Sequence, residues 1–389
     1  MIMRKLAIFT AGRAGQILQK KYSPEQVECF IDNDNTKQGT CINNAPVMSL
    51  EDFLTSRSTA QIIIPSWEYI PSVAAQIENA GIMDWDFKNA FFDPSYPSDM
   101  LVINPYNEKH TGLHSEIEFN ADLINNRQLQ EAQIIYARML ARTKPIFNHI
   151  EIETYNRCNG SCDFCPVSKL RDKRPETFMS QKLFYNIIDQ LRDMDYRGRL
   201  SLFSNNEPFL DERIIDFQAY ARKRLPNACM QLLTNGTLLS LDKFKSIIDD
   251  LDYLIIDNYN DRLELNKTSK IIKSYCEEHK ELIEKVTIVI RNPREILTSR
   301  GGEAPNRKDM KSYPNAACCL PFRQLIIRPD GKVSMCCNDP LGKTAMGDLT
   351  KVSIMDVWQN EQFQTIRNSL LDGRKNIEHC KFCDTFYFF

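Results

Sequence analysis

Three cysteines within eight residues constrain this chain more than any other feature. Cys158, Cys162 and Cys165 form a C-x3-C-x2-C pattern directly after the alternating segment "HIEIET", which predicts a strand. Thiolates bind zinc, copper(I) or iron–sulfur clusters. A closed structural zinc site needs a fourth ligand nearby, but the next cysteine and histidine are Cys229 and His279. The pattern therefore favours a metal centre that keeps one coordination position open.

Composition narrows the class of protein. The chain has 389 residues, 42% of them apolar, and a formal net charge of −2, which argues against a dedicated nucleic-acid or membrane-surface partner. No segment approaches the ~18 apolar residues of a spanning helix, and the first residues do not resemble a signal peptide. We predict a cytoplasmic protein whose thirteen cysteines stay reduced and bind metal or take part in catalysis.

Strands alternate with helices over the first part of the chain, which predicts a parallel βαβ sheet. We assign residues 1–105 to a Rossmann-like domain. Asp32 lies twenty residues after Gly12, where an acidic group meets a ribose in dinucleotide-binding folds, but Thr10 stands at the first glycine position of the fingerprint. Ser49 is a predicted helix N-cap. Whether this domain binds a nucleotide, another protein or nothing remains open.

The remaining chain divides into three predicted parts. Residues 106–145 form a helical linker, residues 146–305 a partial (β/α)6 barrel of the TIM type, and residues 306–389 a small domain with a β-hairpin. Because reactive groups of such barrels lie where the strands end, the polar segments after each strand fall on one rim. The linker carries apolar residues at helical spacing, namely Ile117, Leu123, Ile124, Ile134, Ile135, Met139 and Leu140.

The first cysteine cluster also carries a resemblance to a known family. An aromatic residue, Phe164, precedes the last cysteine, and C-x3-C-x-aromatic-C after the first barrel strand resembles the radical S-adenosylmethionine (SAM) superfamily. The resemblance spans roughly residues 145–305. It implies a [4Fe-4S] cluster whose open iron binds SAM and cleaves it to a 5′-deoxyadenosyl radical, which takes a hydrogen atom from the substrate. It also implies an electron donor such as flavodoxin or ferredoxin.

The resemblance assigns roles in SAM binding to individual residues. Glu207, in "NNEP", would accept a hydrogen bond from the SAM ammonium group. Asn206 would also contact SAM, although Asn205 and Asn206 stand where the family usually has glycine, a departure that bears on how closely the backbone approaches SAM. Asn235, in "TNG", would lie near the ribose.

Two further positions follow from the same resemblance. Phe164 would pack near the adenine. Arg291, at the end of the fifth strand, would pair with the SAM carboxylate, although an ordinary ion pair explains it nearly as well.

A second cysteine set lies near the C-terminus. Twelve residues separate Cys318 from Gly331, and four separate Gly331 from Cys336. The segment "RPDG" predicts a hairpin that brings both cysteines together, and Cys380 and Cys383 add a C-x2-C pair. Spacing alone leaves a four-cysteine zinc ribbon open. The pattern resembles the twitch or shortened SPASM domain of radical SAM enzymes, which implies a second, auxiliary [4Fe-4S] cluster.

The register of the auxiliary ligands has an alternative, because Cys319 and Cys337 have the same mutual spacing as Cys318 and Cys336. We favour the pair Cys318 and Cys336, since Phe322 then falls where the family often has tryptophan. The isolated cysteines are predicted core residues: Cys29, Cys41, Cys229 and Cys276.

A fully ligated cluster suits electron transfer, so the leading hypothesis is oxidation of a small polyol, sugar or nucleotide-linked sugar. The four-cysteine pattern resembles radical SAM dehydrogenases that oxidise alcohols. Candidate bases on the rim are Asp257, Tyr259 and Asp339, and Arg300 is a candidate for holding an anionic substrate group. The alternatives are a peptide-modifying maturase and a zinc-stabilised scaffold without catalytic activity.

Overall fold

The computed structural model describes residues 5–88, 90, 100–107, 127–143, 146–308 and 310–385. These residues form a six-stranded sheet and a nine-stranded sheet with helices between their strands. The predicted α/β class is confirmed. In the described ranges no helix combines the length and the apolar character needed to cross a bilayer. Part of the predicted linker, including Ile117, Leu123 and Ile124, lies outside the described residues.

The first domain is built on the smaller sheet, whose strand order is β3-β4-β2-β1-β5-β6. All pairs in it are parallel except β3 with β4, and every residue of β1 is buried, as expected for a sheet covered on both faces. The strands are β1 (Leu6–Phe9), β2 (Val27–Ile31), β3 (Cys41–Ile42), β4 (Ala45–Met48), β5 (Gln61–Ile64) and β6 (Trp85–Phe87). The helices are α1 (Arg13–Gln19), α2 (Leu50–Thr55) and α3 (Ile70–Asn79).

The turn after β1 shows how the first domain accommodates threonine at a glycine position. Thr10 has a φ of 146°, in the region that favours glycine, and a Cβ on Gly15 would lie 1.9 Å from the Thr10 carbonyl oxygen. The Asp32 carboxylate accepts a hydrogen bond from the Ala11 amide at 2.7 Å and pairs with Lys37 at 3.3 Å. The protein itself therefore engages the carboxylate that the sequence marks as a ribose contact.

Local sequence signals in this domain have different outcomes. Ser49 caps α2 as predicted, because its hydroxyl accepts a hydrogen bond from the Asp52 amide at 3.0 Å. Cys29 and Cys276 are buried as predicted. The prediction for Cys41 is wrong, since this residue lies exposed on the two-residue edge strand β3.

The larger sheet contains the barrel and the C-terminal hairpin, in the order β15-β14-β13-β8-β9-β10-β11-β12-β7. Strands β8 to β12 are sequential and parallel, with one helix from α5 to α8 in each crossover. The strands are β7 (Val102–Ile103), β8 (His149–Ile152), β9 (Arg199–Ser201), β10 (Cys229–Thr234), β11 (Tyr253–Tyr259) and β12 (Val286–Arg291). The helices are α4 (Arg127–Thr143), α5 (Gln181–Asp193), α6 (Ile214–Arg224), α7 (Leu241–Ile247) and α8 (Lys267–Glu278).

Both edges of the barrel sheet are closed by strands from outside the five sequential units. On one edge β13 pairs in parallel with β8, and on the other β7 pairs in parallel with β12. Strand β7 lies within the range that the sequence assigns to the first domain. The division between the two sheets therefore does not fall at residue 105.

The linker helix α4 packs on the first domain. The rings of Trp85 and Phe87 contact Tyr136, whose hydroxyl donates a hydrogen bond to Asp86 at 3.0 Å. Leu140, at the apolar spacing that the sequence shows, is buried. This helix thus carries the predicted packing face over the part that the structure describes.

The C-terminal domain extends the barrel sheet through an antiparallel hairpin. Gly331 has a φ of 83° in the turn between the first two strands of the hairpin, as the segment "RPDG" predicts. The strands are β13 (Gln324–Ile327), β14 (Lys332–Ser334) and β15 (Ala345–Asp348), and the helices are α9 (Ile354–Gln359) and α10 (Glu361–Leu371).

The hairpin turn gives a stability prediction. A Cβ on Gly331 would lie 2.8 Å from Thr350 Cγ2. We expect Gly331→Ala to destabilise the domain by about 1–3 kcal/mol, because a left-handed conformation and overpacking both cost energy. Thermal unfolding followed by circular dichroism measures the loss. Gly39→Ala is the matched control, since Gly39 also has a positive φ but no atom within 4 Å of its Cβ position. Equal destabilisation in both variants would contradict a role for the Thr350 contact.

Candidate active site

The three cysteines of the first cluster line one cavity at the carboxyl end of β8. The Gly160 amide donates a hydrogen bond to Cys158 Sγ at 3.3 Å, and a Cβ on Gly160 would lie 3.9 Å from Cys162 Sγ. Cys165 and the buried Phe164 line the same cavity. The loop therefore holds the three sulfurs around a common space, with a glycine where a side chain would crowd them.

Burial sets the protonation of two of these thiols, Cys158 and Cys162. It raises the pKa of both Cys158 and Cys162 to about 12, and electrostatic repulsion between the thiols contributes. The metal-free protein thus holds them as neutral thiols, and metal ligation would deprotonate them. In the described part of the chain, no three cysteine, histidine or carboxylate side chains lie close enough together for a single metal ion.

Two neighbouring cavities meet at this loop. The inner one has a volume of ≈ 90 Å³ and is lined by all three cysteines and by Glu207, Asn235 and Asp257. The outer one has a volume of ≈ 520 Å³. The two share lining residues, namely Gly160, Cys162, Asn235 and Tyr259. The two cavities therefore adjoin at the cysteine loop.

Glu207 is the carboxylate of the inner cavity. Its Oε1 accepts hydrogen bonds from Thr234 Oγ1 at 2.7 Å and from the Phe209 amide at 3.1 Å. Its Oε2 accepts one from the Asn235 amide at 2.8 Å. Burial raises the pKa of Glu207, while these donors lower it. Since each carboxylate oxygen can accept two bonds, Oε2 retains capacity for a ligand.

The two asparagine segments of the site lie against the cluster loop. Asn235 Nδ2 donates to Asn159 Oδ1 at 2.8 Å, which ties the segment "TNG" to the first cysteine. Asn206 is buried and its Oδ1 accepts a hydrogen bond from the Ser204 amide at 3.1 Å. Within the described residues Asn206 Nδ2 is buried without a hydrogen-bond partner, so it is a donor available to a ligand in the cavity.

Two of the three predicted bases lie in the cavity. Asp257 and Tyr259 both line it from β11, and the Tyr259 ring lies 5.8 Å from that of Phe164. Burial raises the pKa of Asp257, and it raises that of Tyr259 well above 10. The tyrosine is therefore a hydrogen-bond donor, whereas the aspartate is the group that can accept a proton.

The structure does not bring Asp339 into the cavity. Its carboxylate accepts hydrogen bonds from the amides of Lys343 and Thr344 at 2.7 and 2.9 Å, and from Thr344 Oγ1 at 2.7 Å. Burial opposes them, but these bonds hold the pKa of Asp339 below its ordinary value. The residue stabilises its own turn, which argues against the predicted role as base.

Arg291 is likewise occupied by the protein. It lies at the end of β12, is buried, and pairs through Nε with Glu295 Oε2 at 2.9 Å. It does not line either cavity beside the cysteines. Pairing with a SAM carboxylate would require this ion pair to open, so that role remains a prediction.

A buried arginine lies near the second cysteine set. Arg374 is 1% exposed and donates hydrogen bonds to the carbonyl oxygens of Ala317 and Thr385 at 3.1 and 2.6 Å, and to that of Cys383. It interacts electrostatically with the thiols of Cys318, Cys336, Cys380 and Cys383, and also with that of Cys319. The Cys336 thiol in turn interacts with those of Cys318, Cys380 and Cys383, which are the three other ligands favoured from the sequence.

The alternative pair of cysteines, Cys319 and Cys337, lies beside other groups as well. Cys319 lies near Arg323 and Tyr136, whereas Cys337 lies near Glu151 and Arg300 on the cavity side. Both interact with Cys318 as well. The geometry thus favours the register with Cys318 and Cys336, and it places Cys337 between the second cysteine set and the cavity.

Sequence comparisons now identify the class of protein. Residues 152–286 match the radical SAM superfamily, and residues 318–384 match the iron-sulfur cluster-binding domain SPASM. The chain thus contains a radical SAM domain followed by a SPASM domain. It is a radical SAM oxidoreductase that uses SAM, a SAM-binding [4Fe-4S] cluster and an auxiliary [4Fe-4S] cluster.

Two relatives are similar over most of their own length. The S-adenosyl-L-methionine-dependent 2-deoxy-scyllo-inosamine dehydrogenase of Niallia circulans is 28% identical over 242 residues, which are 61% of this chain and 93% of the relative. The crystal structure of BtrN in complex with AdoMet and 2-DOIA superposes with a TM-score of 0.53 at 26% identity, covering 62% of this chain and 94% of that one.

Counting iron and sulfide tests the two ligand sets. We expect the triple variant Cys158→Ala, Cys162→Ala, Cys165→Ala to lose about four irons relative to wild type and to keep the other four, since each set holds one cubane. The pair Cys318→Ala, Cys336→Ala should lose the second four irons. Elemental analysis of anaerobically prepared protein checks both.

The alternative register supplies the control. Cys319→Ala, Cys337→Ala should retain the full iron content, because Cys336 interacts with all three other proposed ligands, whereas Cys319 and Cys337 lie beside Arg323 and Glu151 as well as Cys318. Iron loss in this variant and retention in the other pair would reverse the assignment of the auxiliary ligands.

Proposed function

We propose that this enzyme oxidises an alcohol group of a small polyol, aminocyclitol or sugar to a ketone. One arrangement carries the proposal: a cavity lined by three thiols is joined, through the hydrogen bond from Asn205 to the Cys337 carbonyl oxygen, to the loop of Cys336, which belongs to a second set of four. Three protein ligands leave one iron of a cubane open, whereas four leave none. The first set thus suits SAM binding and the second suits electron transfer.

The residues at the first set fit SAM and its cluster. Cys158, Cys162 and Cys165 would hold the cluster, and bound there the cluster and SAM supply a 5′-deoxyadenosyl radical that removes a hydrogen atom from a substrate carbon. Glu207 Oε2 and Asn206 Nδ2 offer an unsaturated acceptor and an unpartnered donor to the amino acid part of SAM.

Other residues suit the nucleoside and the substrate. Phe164 and Asn235, which both line the cavity, are proposed to contact the adenine and the ribose. Asp257 is proposed as the acceptor of the hydroxyl proton, since it lines the cavity and burial raises its pKa toward the range of a general base. Tyr259 would donate a hydrogen bond. Ser204 adds a hydroxyl that suits an oxygen-rich substrate.

The C-terminal set completes the oxidation. Cys318, Cys336, Cys380 and Cys383 would hold the auxiliary cluster that accepts the electron left on the substrate. A separate electron donor, such as flavodoxin or ferredoxin, would supply the electron for SAM cleavage. We place the protein in the cytoplasm, where thiol ligands stay reduced.

The named activity of the Niallia circulans relative supports the substrate class, because the two chains match over nearly all of the relative. Peptide modification is the weaker alternative. The winged helix that binds leader peptides in many maturases is not what residues 5–88 form; they form a mainly parallel six-stranded sheet. No observation in the described residues favours the peptide substrate over the polyol.

The test is anaerobic turnover of the reduced holoenzyme. With SAM and 2-deoxy-scyllo-inosamine, or with a panel of nucleotide-linked sugars, we expect one substrate to yield a product lighter by two hydrogen atoms. Mass spectrometry should show 5′-deoxyadenosine formed in equal amount, because each turnover consumes one radical.

Cys162→Ala is the control, since loss of a cluster ligand should abolish 5′-deoxyadenosine formation. The proposed substrate class would be wrong if none of these compounds raised 5′-deoxyadenosine above the level seen without substrate.

A further inference from the structure

Asn205 joins the cavity to the C-terminal domain. It is 4% exposed and lines the inner cavity. Its Oδ1 accepts a hydrogen bond from Arg300 Nη1 at 2.8 Å, and its Nδ2 donates to the Cys337 carbonyl oxygen at 3.1 Å and to Ser204 Oγ at 3.2 Å. One side chain therefore contacts the loop of Arg300, the loop of Cys337 and the segment before Glu207.

Arg300 is held in an unfavourable backbone conformation. Its φ is 48°, in the left-handed region, and Gly301 follows at 66°. A Cβ on Gly301 would lie 2.8 Å from both the Asn338 carbonyl oxygen and His379 Nε2. Strain of this kind persists only where the surroundings impose it, and it concentrates at functional sites. Here atoms of the C-terminal domain pack closely against the loop beside the cavity.

The guanidinium of Arg300 has donors left for a ligand. The residue lines the inner cavity, and its buried Nε has no hydrogen-bond partner among the residues that the structure describes. Guanidinium groups donate five hydrogen bonds in a fixed planar arrangement, so the bond from Nη1 to Asn205 determines where the other donors point. That orientation suits a hydroxyl or anionic oxygen in the cavity.

Asparagine is the side chain that this position requires. Arg300 needs an acceptor and the Cys337 carbonyl needs a donor, and a short amide supplies both. The backbone is fixed as well, because the Asn205 amide donates to Glu153 Oε1 at 2.7 Å. Glu153 is fully buried and pairs with Arg328 at 3.2 Å. The barrel itself thus fixes the backbone of Asn205, from which the side-chain amide extends.

We propose that Asn205 is a positioning residue with two roles. It orients Arg300 toward a substrate oxygen, and it couples the cavity to the auxiliary-cluster loop through the Cys337 carbonyl. The first role rests on the proposed function, because it needs a hydroxyl-bearing substrate. The second does not, since it concerns only the hydrogen bond beside the ligand Cys336.

Two substitutions separate the roles. Asn205→Ala removes the acceptor and the donor, whereas Asn205→Asp keeps the acceptor for Arg300 and loses the donor to Cys337. With 2-deoxy-scyllo-inosamine as substrate, we expect Asn205→Ala to raise KM about tenfold or more, as for loss of a hydrogen bond to a charged group. Asn205→Asp should keep KM near the wild-type value.

The potential of the auxiliary cluster reports the second role without any substrate. In protein that also carries Ala at positions 158, 162 and 165, only this cluster contributes to an electron paramagnetic resonance redox titration. Hydrogen-bond donors near a cluster raise its potential by stabilising the reduced form. Both Asn205 variants should therefore shift the midpoint potential downward, and Asn205→Asp should shift it further because its carboxylate also adds a negative charge.

Asn258→Ala is the matched control. Asn258 is fully buried at the end region of β11 and ties a loop by donating to the Glu264 carbonyl oxygen at 3.0 Å, but it lines neither cavity. It should leave KM and the potential unchanged. Iron content and circular dichroism verify that each variant folds.

The outcomes are distinguishable. Equal KM for Asn205→Ala and Asn258→Ala would overturn the orienting role, and an unshifted potential in both Asn205 variants would overturn the coupling role. A shifted potential in an enzyme that oxidises no polyol would support the coupling and contradict the proposed substrate class.

Discussion

Parallel pairing of neighbouring strands is the constraint on which this site depends. Strands β8 to β12 run in one direction, so the segments that follow them meet at one rim. Four residues that are far apart in sequence line one small cavity, because each lies near the end of its own strand or in the segment that follows it. They are Cys158, Glu207, Asn235 and Asp257. No contact between the loops themselves would bring these groups together without the sheet beneath them.

Buried charge then fixes the loops on that rim. A carboxylate out of water costs several kcal/mol unless it is hydrogen-bonded or paired. Glu207 meets this requirement through two donors at the end of β10, and Glu153 meets it through Asn205 and Arg328. Each of these hydrogen bonds and ion pairs also holds two segments of the chain together. The cost of burying these carboxylates is offset only when the loops lie where the site needs them, so the electrostatics and the geometry of the site are the same constraint.

Patterns local in sequence were sufficient to predict much of this architecture. The cysteine spacing, the glycine of the "RPDG" turn and the Ser49 cap depend on residues close in the chain, and the structure has the turn and the cap as expected. The structure argues against Asp339 as a base for an equally local reason. The backbone amides of Lys343 and Thr344, four and five residues later, donate hydrogen bonds to its carboxylate. That local alternative was visible in the sequence.

Other features depend on residues that are distant in sequence and could not be read from it. The pairing of β7 with β12 joins segments about one hundred and eighty residues apart, and nothing in "LVIN" specifies its partner. The contacts of Asn205 with Arg300 and with Cys337 are equally remote. Periodicity reports which face of an element is buried, but not which distant element covers it. The sequence therefore indicated the chemistry of the site better than the contacts between its distant segments.

The charges around the two thiol sets differ in a way that bears on electron flow. Cys158 lies near the Glu207 carboxylate, a negative neighbour, whereas the four C-terminal thiols lie near the Arg374 guanidinium. A cluster gains negative charge when it is reduced, so a nearby cation favours reduction and a nearby anion opposes it. The protein thus disposes the first site to give up an electron and the second to accept one. Because Arg374 also binds the carbonyl oxygens of Ala317 and Thr385, the same side chain that biases the charge holds the ends of the cysteine set together.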